Sequence, residues 1–419
     1  MTGSVADATA ASGTEVGYPN GHLGYLKAEE QQALENFKTY LAEKGYYKPG
    51  PPASHDEQTL LRYLRARRWN VVDAFKQFKE TEDWRKANDL NVLYDTIDLE
   101  AYEASRRLYP QWTGRRDRRG IPLYLFEIRH LDSKTVSAYE KAAETNPSKA
   151  VTDGQTSPKL LRLFALYENL TRFAQPLCTE LPDRAHASTT PITLSTNIVD
   201  VSGVSLRQFW NLKSHMQAAS QLATAHYPET LDRIFVIGAP YFFSTVWGWI
   251  KRWFDPITVS KIFILAPHEV KPTLEEFIDP KNIPKQYGGE LDFTWGDQPK
   301  TDPLITETVK WENGLKDFPE GPKYWRPTAD GERMECVAVG SEGGKQRMLT
   351  VGYLERICRV QTKKAEEKVN GDATAAQAEA EALAEGVKGL NVAEEDEKKT
   401  EVVETGEEAK APAVPVVSA

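Results

Sequence analysis

Cysteine is scarce: Cys178, Cys336 and Cys358 are the only 3 in 419 residues. They are odd in number, far apart and outside any C-x-x-C spacing. That excludes a disulfide framework and a cysteine zinc site, and leaves reduced, buried thiols as the expectation. Long apolar runs are missing too. No stretch reaches the roughly eighteen uncharged apolar residues of a membrane-spanning helix, and the opening segment MTGSVADATAASGTEVGYPN has neither a basic nor an apolar region, so a cytoplasmic chain is expected.

Catalytic signatures are equally absent. The 7 histidines form no H-E-x-x-H, and His215 and His226 are the one close pair, so metal or triad chemistry has little to stand on. There is no G-x-S-x-G elbow and no dinucleotide-type G-x-G-x-x-G after a strand. GSEGGKQ (340–346) approaches a phosphate loop, but three residues rather than four separate its outer glycines, and Gln346 stands where a magnesium-binding Ser or Thr belongs. A hairpin turn is the simpler reading. Neither an enzyme, a cofactor nor a nucleic-acid partner is expected, and a monomer is.

What is present is ample apolar content, 40% of the chain, and an uneven charge. Residues 361–419 carry 7 Lys+Arg against 14 Asp+Glu, so of the net −9 only about −2 belongs to the rest. The chain divides by pattern. Residues 1–25 are small, polar and aperiodic and read as disordered; 26–100 read as a helical lobe, with Leu60, Leu61 and Leu64, then Val72, Phe75 and Phe78, at helical intervals around the break KPGPPAS. Over 101–290, strands at 121–128, 191–201, 233–240 and 261–265 alternate with helices at 157–177, 205–227 and 271–278. The expected class is α/β with a mixed, largely parallel sheet. Residues 132–157 read as a polar surface excursion. Residues 291–360 read as a loop-like strap ending in one hairpin at 335–354, and 361–419 as a solvated acidic tail.

One segment is unusual. Residues 242–254, FFSTVWGWIKRWF, hold three tryptophans and three phenylalanines. Set on a helix, Phe242, Phe243, Val246, Trp247, Trp249, Ile250, Trp253 and Phe254 fall within an arc of about 160°, and Ser244, Gly248, Lys251 and Arg252 take the rest. An ordinary helix packed on a sheet would show such a face. Yet Trp beside Lys and Arg suits a water–lipid boundary, and Gly238, Pro240 and Asp255-Pro256 would let the segment move as a unit.

Read in order, LLRYLRARRWNVVDAFKQFKETEDWRK, YPQWTGRRDRRGIPLYLFEI, IVDVSGVSL, HYPETLDRIFVIGAPYFFSTVWGWIKRWFDPITVSKIFIL and NIPKQYGGE resemble the CRAL-TRIO lipid-binding family, in particular its phosphatidylinositol/phosphatidylcholine transfer branch. The resemblance runs from about Asp56 to Glu290. It implies a helical N-terminal lobe beside an α/β lobe, a sheet that floors an apolar lipid pocket, and a gating amphipathic helix that the aromatic segment matches.

By the same resemblance, Arg67, Glu229, Thr258 and Lys261 fall at inositol-headgroup positions. Their chemistry suits a phosphodiester with free ring hydroxyls, which needs a cation and hydroxyl acceptors. Each has a plainer reading: Arg67 on a solvated helix face, Glu229 as a helix-end cap, Lys261 exposed at a strand start. Tyr124 and Ser195 match positions around the second lipid, phosphatidylcholine, but Thr113 stands where a tyrosine is typical and Asn197 where a threonine is. Choline recognition relies on aromatic faces. The leading expectation is a soluble carrier of phosphatidylinositol that docks transiently on membranes. Its rivals are a non-transferring sensor that presents the lipid to a lipid kinase or effector, and a carrier of another hydrophobic ligand such as a sterol or isoprenoid.

Overall fold

The computed structural model describes residues 17–145, 147–253 and 259–357, and in it the first helical stretch forms α1 (Ala28–Glu43), α2 (Glu57–Ala66) and α3 (Val71–Ala87). α2 and α3 each begin where an Asx side chain accepts from an otherwise unpaired amide, Asp56 from Thr59 N and Asn70 from Asp73 N. Their apolar stripes meet α1 in a core that includes Phe37, Leu41, Leu61 and Phe78. α4 (Leu90–Thr96) and α5 (Leu99–Arg106) then lead to the sheet.

That sheet has β1 (Gln111–Arg116), β2 (Pro122–Glu127), β3 (Ser195–Asp200), β4 (Leu231–Ile237) and β5 (Ile262–Leu265) in spatial order β1-β2-β3-β4-β5. β1 is antiparallel to β2 and the remaining pairs are parallel, the mixed α/β architecture that the alternation predicts. Alternate residues point to opposite faces. Leu123, Leu125, Ile198 and Phe235 face one way, into a core with α10 (Val270–Phe277), while Phe126 and Ile234 belong to the core on the other side. α6 (Ser133–Ala142), α7 (Pro158–Asn169) and α8 (Leu206–His226) contribute to that second core, and α9 (Phe243–Ile250) follows β4. α6 lies inside the segment that reads as a polar excursion. Buried Tyr139 and Ala143 anchor it to the body.

The structure corrects two sequence expectations. Residues 17–25 are not featureless: Tyr18 and Leu23 are buried, Arg184 Nη1 donates to the Tyr18 hydroxyl at 3.1 Å, and Arg65 Nη1 donates to the Gly21 carbonyl at 3.1 Å. Such turns are held by distant side chains and leave no period in the sequence. Residues 291–357 are more than a strap. β6 (Lys310–Trp311), β7 (Lys323–Pro327), β8 (Arg333–Glu342) and β9 (Lys345–Glu355) make a second sheet, ordered β6-β9-β8-β7. The expected hairpin is there, turning through Gly343 and Gly344, both at positive φ, which removes any phosphate-loop reading of GSEGGKQ. β7 was hidden in a Pro- and Gly-rich stretch; its Trp325 stacks on Phe173 with ring centroids 6.4 Å apart.

Candidate functional site

Between the second face of the sheet and α6, α7 and α8 lies a cavity of about 470 Å³. Its wall is mostly apolar, with Phe126, Leu131, Val136, Leu163, Leu212 and Met216 among the lining side chains. Two groups of polar residues interrupt that wall. Arg67, Arg68, Gln77, Glu229 and Lys261 form one; Tyr109, Tyr139 and His215 form the other.

The first group brings together three of the four residues expected at the headgroup. Lys261 Nζ lies 3.2 Å from Glu229 Oε2 and also donates to the Leu231 carbonyl at 3.0 Å. Arg67, the C-cap of α2, lines the cavity with its side chain exposed. Thr258 lies outside the described residues, as do Phe254, Cys358 and the acidic segment 361–419. A neutral ligand would therefore not leave Lys261 and Arg67 as bare buried cations: Lys261 is paired and Arg67 reaches water. Of the arginine run, Arg62 is buried, and Arg65, which sequence reasoning did not single out, is half-buried. Burial lowers the Arg65 guanidinium to about 10, although the Glu229 carboxylate works in the opposite direction.

Glu229 itself has φ +55, a left-handed conformation that strains a non-glycine residue. Two residues before it, Tyr227 is anchored. The Tyr227 hydroxyl donates to Glu168 Oε1 at 2.5 Å, and Arg85 of α3 grips the same carboxylate through Nη1 at 2.7 Å and Nη2 at 3.1 Å. Burial alone would raise the Glu168 carboxyl, but the Arg85 guanidinium outweighs it and holds the pKa at about 2. A fixed ion pair thus ties the N-terminal lobe to a cavity wall residue.

At the other polar group the Tyr109 hydroxyl and His215 Nε2 are 2.6 Å apart, and Tyr139 shares a hydrogen bond with buried Ser105 at 3.1 Å. Burial, then Lys159, lowers the His215 pKa, which keeps the imidazole neutral at pH 7. Sequence reasoning missed these residues. The helical spacing of Leu212, His215, Met216 and Ala219 was the available signal.

The residues expected around a second lipid are placed elsewhere. Thr113 is fully buried in β1 and its hydroxyl donates to the Leu123 carbonyl at 3.0 Å. Ser195 donates to the Thr230 carbonyl at 3.1 Å, and Asn197 donates back to Ser195 Oγ at 3.0 Å. Tyr124 packs with Trp112 and Phe173. None of the four is among the described residues that line the cavity.

In α9, Phe243 and Val246 are buried and Trp247 packs on the same core, whereas Trp249 stacks on half-exposed Trp210 of α8 with ring centroids 5.3 Å apart. Phe242, Phe243 and Val246 bound a small space of about 30 Å³ together with Leu212 and Met216, which also line the main cavity. α9 is therefore one layer away from that cavity. The side chains of Ile250 and Trp253 lie outside what the structure describes.

Sequence comparison decides what such a cavity belongs to. The model of the CRAL/TRIO domain matches residues 106–289, and that of the CRAL/TRIO N-terminal domain matches 33–80. The CRAL-TRIO domain-containing protein YKL091C of Saccharomyces cerevisiae is 30% identical over 275 residues, 64% of this chain and 80% of that one. This chain belongs to the CRAL/TRIO family. Other similar proteins are the SEC14 cytosolic factor of Eremothecium gossypii, 29% identical over 311 residues (74% of this chain, 90% of that one), and the phosphatidylinositol/phosphatidylcholine transfer protein SFH9 of Arabidopsis thaliana, 29% identical over 297 residues (68% and 47%). Among solved structures, the crystal structure of Sfh5 aligns with a TM-score of 0.46 at 14% identity, covering 68% of this chain and 96% of that one.

No helix among the described residues is long and apolar enough to cross a membrane.

Proposed function

We propose that this CRAL/TRIO protein binds phosphatidylinositol in the cavity and carries it between membranes. The observation that carries the reading is the Lys261–Glu229 pair, at 3.2 Å, in the wall of a mostly apolar cavity. Such a pair is preformed for an inositol phosphodiester: the ammonium can turn to the phosphate while the carboxylate accepts ring hydroxyls. Acyl chains in the apolar remainder would contribute about 0.8 kcal/mol per buried methylene. The name of the SFH9 relative supports the same ligand class. No covalent step is involved.

Membrane contact falls to the aromatic surface where Trp249 stacks on Trp210, with Lys213 Nζ 4.7 Å above the Trp210 ring and Tyr241 97% exposed. Opening of α9 would uncover Leu212 and Met216 and with them the cavity.

The test is native mass spectrometry of the purified protein, followed by vesicle-to-vesicle transfer of labelled phosphatidylinositol. Co-purified phosphatidylinositol and transfer lost in Lys261→Ala support the reading. A second reading, a carrier of an uncharged hydrophobic ligand, is favoured by the mutual pairing of Lys261 and Glu229; a sterol or isoprenoid as the sole co-purified species would establish it. Phosphatidylinositol bound without any transfer would instead indicate presentation to a lipid kinase or effector.

A further inference from the structure

Two residues that line the cavity each carry a buried polar atom with no partner among the described residues. Gln77 of α3 is 4% exposed, and its amide nitrogen donates to the carbonyls of Thr224 at 3.0 Å and Ala225 at 2.9 Å, near the C-terminal end of α8. Those two carbonyls fix which way the amide lies, because a flipped amide would set oxygen against oxygen. Oε1 is left buried without a hydrogen bond, in a residue that lines the cavity. Ser220 Oγ is the other orphan and lines the same cavity. It lies four residues before Thr224, about 6 Å along the helix. A helical serine commonly bonds back to the carbonyl one turn earlier, but this one does not.

Buried acceptors without donors are costly, and native proteins keep few of them. Both orphans share the cavity with Arg67, Glu229 and Lys261, and Thr224, which anchors Gln77, lines it as well. From this we infer that Gln77 Oε1 and Ser220 Oγ receive ring hydroxyls of the inositol headgroup, an inference that rests on the phosphatidylinositol reading above. Every free hydroxyl of inositol is a donor. A trimethylammonium offers none, so a choline headgroup leaves Gln77 Oε1 unpaired. The two residues thereby bias the cavity toward a polyol headgroup over a methylated one.

The experiment compares equilibrium binding of phosphatidylinositol, phosphatidylcholine and phosphatidylglycerol, each in vesicles, to the wild type, Gln77→Met and Ser220→Ala. Each variant removes one neutral hydrogen bond, so phosphatidylinositol affinity should fall about three- to tenfold with phosphatidylcholine affinity unchanged. Gln77→Met also loses its two donors to α8. Ser220→Ala is small and suited to a helix, so it decides the matter if the first variant does not fold.

Equal loss for all three lipids, or a wild-type preference retained in both variants, would overturn the inference while leaving the phosphatidylinositol reading in place. Loss shared by phosphatidylinositol and phosphatidylglycerol would overturn the ring assignment, since any hydroxyl would then serve. Failure of the wild type to bind phosphatidylinositol at all would overturn the parent reading and this one together.

Discussion

Lys261 Nζ and Glu229 Oε2 meet at 3.2 Å across 32 residues of chain, joining the approach to β5 to the corner that precedes β4. Glu229 adopts φ +55 to do so, a conformation that costs on the order of 1–2 kcal/mol for a residue with a Cβ. Strain of this kind persists where surrounding contacts hold it; Glu229 is paired with Lys261, and Tyr227, two residues earlier, is fixed by Glu168 and Arg85. On the proposed reading, stability and headgroup binding pull in different directions at that corner.

Glu229→Gly separates them. Glycine relieves the left-handed strain, so the melting temperature should hold or rise slightly despite loss of the ion pair, while phosphatidylinositol transfer falls at least tenfold. Thermal unfolding and a vesicle transfer assay on one preparation check both. A clear loss of stability with normal transfer would mean that the carboxylate is merely structural.

Acid should weaken the fold in two stages. His226, stacked on Trp84 with ring centroids 4.2 Å apart, is held at about 4 against an ordinary 6.5 by burial and then by Arg85. It is neutral when folded and protonates on unfolding. The stability it supports is complete above pH 6.5 and is lost as pH falls to about 4, on the order of 3 kcal/mol at most. His215 and His22 are shifted downward as well, by burial first, and add to this window. Glu168 acts lower: its contribution is complete above its ordinary 4.5 and disappears as pH falls through about 2. Urea midpoints measured from pH 7 to pH 2 should therefore decline from pH 6.5 onward, with His226→Gln reducing the first stage and Glu168→Gln the second.

Trp210 and Trp249 should report docking. Their stack is at the surface, so anionic liposomes should shift the tryptophan emission to shorter wavelength, and Trp249→Ser should reduce that shift and slow transfer several-fold. Its effect on thermal stability should stay within about 1 kcal/mol, because Phe243 and Val246, not Trp249, hold α9 to the core.

Thr113→Tyr should not restore a choline site. Thr113 is fully buried with its hydroxyl on the Leu123 carbonyl, so a tyrosine there overpacks β1 and should destabilise by about 1–3 kcal/mol. Improved phosphatidylcholine transfer with unchanged stability would show that β1 yields more readily than its packing implies.

Removing residues 361–419 should leave transfer unchanged. That segment carries 14 acidic against 7 basic residues, so its loss should if anything strengthen adsorption to anionic vesicles at low salt. Sedimentation of both forms with vesicles at two salt concentrations would check this. A truncated chain that binds vesicles but no longer transfers lipid would make the tail part of the carrier.

By itself the sequence determined what local periodicity can encode. Alternating strands and helices specify the mixed sheet, Gly343-Gly344 specifies the β8–β9 hairpin, and the four-residue spacing of Leu212 and Met216 along α8 specifies the face that meets the cavity. Motif resemblance added Arg67, Glu229 and Lys261 as residue types suited to a headgroup, without saying which would be buried or paired. Only the tertiary structure decided that. It paired Lys261 with Glu229, buried Arg62 and left Arg67 exposed, set Thr113 in the core, and turned the Gln77 amide so that its oxygen has no partner among the described residues. Residues 17–25 and β7 were illegible for a related reason. Aperiodic or Pro- and Gly-rich segments acquire structure from distant contacts, such as Tyr18 with Arg184 and Trp325 with Phe173, and a one-dimensional pattern holds no record of them.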